Sequence, residues 1–217
     1  MELKGKKICF LGDSITEGHG VSCKDNIYCN ILAQKYAFTA LNYGIGGTRI
    51  ARQQNCDCAD CDKYYASRVN DMDPDADAVV VFGGTNDYGH GDAKLGCFTD
   101  RTPDTFYGAC HDLFERLINK YPGKPIIIMT PLHRTNEFSP GINKEPNAEA
   151  PTLVKYVDII LEVARYYSMP VCDLYAESGI QPNVRILMEK FCPDGLHPND
   201  AGQMLIAKKL ERYLLNA

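Results

Sequence analysis

The chain reads as an α/β protein, a three-layer α/β/α sandwich around a five-stranded parallel sheet. Three observations lead there. Continuous apolar runs at residues 8–11, 78–82 and 126–129 read as strands buried on both faces, as parallel strands are when helices cover them. Amphipathic segments with helical spacing alternate with the runs, so successive strands are joined by helical crossovers. Polar clusters follow the carboxyl ends of the runs, the edge where open α/β sheets bind ligands.

In chain order, the first strand ends at Gly12 and delivers Asp13 and Ser14. A helix over about 26–36 then sets Ile27, Ile31, Leu32 and Tyr36 on one apolar stripe. Residues 40–43 form a short second strand that runs into Gly44-Ile45-Gly46-Gly47-Thr48-Arg49, expected to open another helix. Residues 52–77 are polar, with a short helix near 64–68. The third strand, 78–82, leads to Gly83-Gly84-Thr85-Asn86-Asp87. A helix bearing Phe106, Cys110, Leu113, Phe114 and Leu117 is closed by Pro122 and Gly123. The fourth strand, 126–129, precedes a loop reaching about residue 150, a length that usually marks function or disorder. A helix with Leu153, Val157, Ile160, Leu161 and Ala164 inward leads to a fifth strand at 171–174. A less regular stretch and a final helix follow, the helix turning Met204, Ala207, Leu210 and Leu214 inward. Right-handed crossovers then give the flavodoxin-like strand order 2-1-3-4-5. No repeat or linker interrupts the alternation, so residues 1–217 are expected to form a single domain.

Composition narrows the function. Net charge is −5, and no run of lysine or arginine exceeds two residues, so a nucleic-acid partner is not expected. No apolar run approaches eighteen residues, and Met1 to Lys7 contain neither an h-region nor a cleavage site. The expectation is a cytoplasmic protein without membrane insertion. Of the 10 cysteines, Cys9, Cys29, Cys110 and Cys172 fall in strands or helices and read as small buried apolar residues. Cys56, Cys58 and Cys61 could offer three thiolates to zinc. No second Cys-x-x-Cys or His pair follows at finger spacing, so reduced loop thiols are the simpler reading and no metal is expected.

Ser14 has two readings. Followed by Glu17, it fits a helix N-cap with a capping box; at the carboxyl end of a central strand it is a nucleophile. The rest of the edge decides between them. Gly47 and Asn86 follow the second and third strands, and Asp194 and His197 follow the fifth. Acyl transfer needs a nucleophile, a base, a group that orients the base and donors for the oxyanion, and these residue types cover each role. A dinucleotide reading of Gly44 to Arg49 fails, because the third glycine of Gly-x-Gly-x-x-Gly falls on Arg49.

These blocks resemble the SGNH hydrolases, or GDSL-type esterases. Gly12-Asp13-Ser14-Ile15 is similar to the family's first block with isoleucine for leucine, Asn42-x-Gly44-x-x-Gly47 to the second, Gly84-Thr85-Asn86-Asp87 to the third, and Asp194-Gly195-Leu196-His197-Pro198 to the last. The resemblance implies Ser14 as nucleophile, His197 as base and Asp194 as its orienting partner. It further implies an oxyanion hole of the Ser14 and Gly47 backbone N–H groups and the Asn86 amide. It implies no cofactor and a small-molecule ester as substrate. The family includes carbohydrate acetylesterases, lysophospholipases, thioesterases and acyltransferases. Polar, tyrosine-bearing loops with Tyr43, Tyr64, Tyr65 and Tyr88 lean toward a small acyl group on a polar alcohol such as a sugar. Asp13, Tyr88 and His133 are the candidate substrate contacts, with His19 and His90 also in rim loops. Two other classes compete: a metal-dependent hydrolase built on Asp13, Asp87, Asp194 and His197, and a non-catalytic module binding a small anion at the glycine turns.

Overall fold

The structure is a computed structural model that describes residues 1–55, 62–138 and 152–217. The five parallel strands are β1 (Lys7–Gly12), β2 (Thr39–Gly44), β3 (Ala78–Phe82), β4 (Ile126–Met129) and β5 (Val171–Cys172), in the order β2-β1-β3-β4-β5. The sequence-derived class and strand order therefore stand. The helices are α1 (Ser14–Glu17), α2 (Tyr28–Tyr36), α3 (Tyr65–Arg68), α4 (Thr85–Gly89), α5 (Phe106–Lys120), α6 (Leu153–Tyr166), α7 (Leu174–Glu177), α8 (Arg185–Phe191) and α9 (Asp200–Asn216). Among the described residues, no helix is long and apolar enough to cross a membrane.

Strand side chains alternate between two cores, as the period of two demands. Ile8 and Phe10 of β1, with Val80 and Phe82 of β3, pack under α2 and α9; Cys9, Leu11, Val79 and Val81 pack under α3, α5 and α6. Buried on both faces, the central strands are fixed in register, and their carboxyl ends hold the turns that follow.

Four local expectations are corrected. Residues after Gly44 do not open a helix; the Ile50 and Ala51 N–H groups bond the Asp87 carboxylate at 2.9 and 2.8 Å, so a side chain takes donors a helix would have used. Conversely, residues 85–89 form α4 and not merely a turn. β5 stops at Cys172, since Asp173 caps α7 by accepting from Ala176 N–H. On α9, Met204 is 42% exposed while Gln203 is fully buried. Gln203 accepts from the first N–H of α2 at Tyr28 and donates to the Ile15 carbonyl of α1, satisfying helix-end groups that lack intrahelical partners. It thereby ties the helix after His197 to the turn that carries Ser14.

Candidate active site

Ser14 does not cap its helix. Asp13 does, its Oδ1 accepting from Ile15 N–H at 3.0 Å, and Glu17 reaches across to accept from Gly46 N–H at 2.9 Å. Both partners of the expected capping box are thus used elsewhere, and the Ser14 hydroxyl lies 3.0 Å from His197 Nε2.

His197 arrives on the turn between α8 and α9. Gly195 takes φ +78°, a left-handed conformation suited to glycine, which brings Asp194 and His197 together three residues apart. Asp194 Oδ1 accepts from the Leu196 and His197 N–H groups at 2.9 and 2.7 Å, and Oδ2 accepts from His197 Nδ1 at 2.6 Å. Because the carboxylate takes the Nδ1 proton, the Nε2 lone pair is left facing the Ser14 hydroxyl. Burial alone pushes the Asp194 carboxyl up. The His197 N–H and ring and the Leu196 N–H outweigh it and hold Asp194 below its ordinary range.

The second half of the site lies across from this turn. A Cβ built on Gly46 would stand 3.8 Å from Ser14 Cβ, so the 45–47 turn passes beside the serine. Gly47 has φ +74°, and a Cβ there would point into open space. From α4, Asn86 donates through Nδ2 to the Thr48 carbonyl at 3.0 Å. Among the described residues, three donors have no acceptor: the Ser14 N–H, the Gly47 N–H and the second Nδ2 hydrogen of Asn86. Ser14 and Asn86 are buried while Gly47 is exposed, and three unspent donors at the sheet edge that carries the Ser14 hydroxyl suit a developing negative charge.

Asp13 and Tyr88, expected as substrate contacts, have their polar atoms engaged within the fold. Asp13 is buried under its capping bond, and burial lifts its carboxyl to about 7; Tyr88 is buried with its hydroxyl donating to the Asn136 carbonyl. Of the tyrosines expected in loops, Tyr65 lies in α3, buried and donating to the Phe82 carbonyl, and Tyr43 lies in β2 and accepts from Asp73 N–H. His133 is half-buried, with Nδ1 2.8 Å from Glu137 and its ring 3.8 Å from that of Tyr175. The metal reading loses its donor set. Asp13, Asp87 and Asp194 are each spent on N–H groups, and no group of three or more His, Cys, Asp or Glu able to hold a metal occurs among the described residues. Cys56, Cys58 and Cys61 lie outside the described residues.

Sequence reasoning placed His19 and His90 in rim loops without their partners, and gave Arg49 and Arg134 no role at the site. His19 follows the Ser14 turn and sets its ring 4.4 Å from that of His197. Arg134 donates to the Thr85 carbonyl and stacks over Tyr88. Arg49 and His90 connect the glycine turn to Asn86. His90 stands four residues after Asn86, a spacing that becomes informative only once residues 85–89 are known to be helical.

The chain belongs to the GDSL-like lipase/acylhydrolase family, whose model matches residues 10–205. It is similar to a solved structure from Lactobacillus plantarum at 30% identity and TM-score 0.84, covering 99% of this chain and 98% of that one. A member of the lipolytic protein G-D-S-L family from Veillonella parvula shares 15% identity at TM-score 0.66, covering 97% and 99%. A structure described as an acetyl xylan esterase shares 20% identity at TM-score 0.66, covering 96% and 99%. At those last two identities the likeness is one of fold. A search of curated proteins finds no match.

Proposed function

We propose that the protein is a serine esterase that hydrolyses a short-chain acyl ester, an acetyl ester foremost, of a polar alcohol such as a carbohydrate. The observation that carries the reading is the chain Ser14 Oγ, His197 Nε2, His197 Nδ1, Asp194 Oδ2, bonded at 3.0 and 2.6 Å beside three unspent donors.

In this mechanism Ser14 Oγ attacks the ester carbonyl carbon while its proton passes to His197 Nε2. Asp194 stays ionised and steadies the imidazolium. The carbonyl oxygen becomes an oxyanion held by the Ser14 and Gly47 N–H groups and Asn86 Nδ2. Collapse breaks the bond to the alcohol, which leaves with the proton from Nε2, and the acyl group remains on Ser14. Water then gives its proton to Nε2, attacks the acyl-serine and releases the acid, returning the proton to Ser14. Support for a short acyl group comes from the polar neighbours of the site, His19 and Arg134, and from the similarity in fold to a protein described as an acetyl xylan esterase.

A panel of p-nitrophenyl esters graded by chain length, run beside acetylated sugars and a lysophospholipid, tests the reading. Acetate should be the best chain length, and chelator should leave turnover unchanged. An optimum at long chains, with lysophospholipid as the better substrate, would replace the acetylesterase reading with that of a lysophospholipase.

A further inference from the structure

We infer that His90, held by Arg49, is a positioning residue for the oxyanion donor Asn86. This rests on the serine-esterase reading above and deepens it.

His90 Nδ1 lies 2.9 Å from Arg49 Nη1, and His90 Nε2 lies 3.2 Å from Asn86 Oδ1. A guanidinium can only donate, so Nδ1 accepts, and the one proton of a neutral imidazole stands on Nε2, aimed at Asn86. The Asn86 amide is therefore fixed from both ends. Nε2–H requires an oxygen opposite it, and the Thr48 carbonyl requires a nitrogen at 3.0 Å. With both demands met, the amide cannot flip, and the remaining Nδ2 hydrogen keeps one direction. Donation into Oδ1 also polarises the amide and strengthens Nδ2–H as a donor. Arg49 and Thr48 both belong to the turn that follows Gly47, so Asn86 is held against that turn from two sides. Burial and the charges of Arg49 and Arg134 push the His90 imidazole down, which agrees with the neutral ring this geometry needs.

The test is a mutant cycle on turnover of an acetyl ester. His90→Phe keeps the ring and removes both bonds; small displacements of a catalytic donor are costly, so kcat should fall about tenfold with KM within about twofold. His90→Gln, which can donate to Asn86 and accept from Arg49, should recover most of that loss. In an Asn86→Ala background, His90→Phe should cost nothing further, because it acts only through Asn86. Arg49→Met is a second route to the same relay, with a several-fold loss of kcat that also vanishes in Asn86→Ala. If Asn86→Ala loses turnover while His90→Phe and Arg49→Met do not, or if their losses persist without Asn86, the positioning role is wrong and the esterase reading stands. If Asn86→Ala itself keeps full turnover, the oxyanion reading falls and the positioning role with it.

Discussion

The two halves of the site are built differently. On one side, the 45–51 turn and α4 are locked together by Asn86 to Thr48, His90 to Arg49, and Asp87 to Ile50 and Ala51, with Asn86 only 5% exposed. On the other, Asp194 and His197 stand on a short turn between two helices, and the Asp194 side chain is 53% exposed. The contrast matches the work of each half. An oxyanion is best stabilised by fixed dipoles shielded from water, and Asn86, the side-chain donor proposed for it, is buried and cross-braced. Moving a proton to a leaving group and then taking one from water requires access, and the proposed base stands beside a carboxylate in reach of solvent.

If this division is right, damage to the two halves should differ in size and in kind. The largest loss is expected from His197→Ala, on the order of a thousandfold or more in kcat, because only binding and the oxyanion donors remain. Turnover within tenfold of wild type would remove His197 as the base. Asn86→Ala should cost roughly a hundredfold to a thousandfold in kcat with KM nearly unchanged, since the lost contact forms only in the transition state. A rise in KM at constant kcat would instead make Asn86 a ground-state contact.

Asp194→Asn should cost less, roughly ten- to a hundredfold, although a buried triad carboxylate can cost ~10⁴. With the residue-194 side chain half exposed, water can take over part of the carboxylate's role, and the Asn oxygen can still accept the turn's backbone N–H groups. A loss equal to that of His197→Ala would contradict the contrast between the two halves.

The smallest expected effect concerns the stability of the buried turn that carries Ser14. The folded Asp13 carboxyl titrates at about 7, above the unfolded carboxylate value, so the folded state binds the extra proton. This contribution weakens stability as pH rises from about 4 through about 7, and the penalty is complete above that. Asp13→Asn keeps an acceptor for Ile15 N–H and has no charge to bury. Thermal melts should show it stabilising by on the order of 1 kcal/mol at pH 8 and by nothing at pH 4. An equal effect at both pH values would assign it to packing.

The fold was legible because its signals are continuous. Ala78 to Phe82 and Ile126 to Met129 are uninterrupted apolar runs, and the helices between them keep a 3.6-residue period. The triad candidates were legible because each follows a strand or sits in a compact block. What escaped was set by long-range satisfaction of polar groups. Gln203 lies inward because two backbone groups far apart in sequence, Tyr28 N–H and the Ile15 carbonyl, need it. The helix expected after Gly44 is absent because Asp87, from the short helix after another strand, binds its N–H groups. Asp13 and Tyr88 sit at the functional edge, yet their polar atoms are used by α1 and by Asn136. No local pattern carries such information.

The central claim is that Ser14 is a nucleophile activated by His197, and covalent trapping tests it most directly. The protein is treated with an aryl methylphosphonate and digested, and the modified residue is found by mass spectrometry. One phosphonyl group should appear on Ser14, at a rate that falls with the loss of esterase turnover and drops sharply in His197→Ala. An unmodified Ser14 in protein that still hydrolyses the ester, or labelling that His197→Ala leaves unchanged, would contradict it.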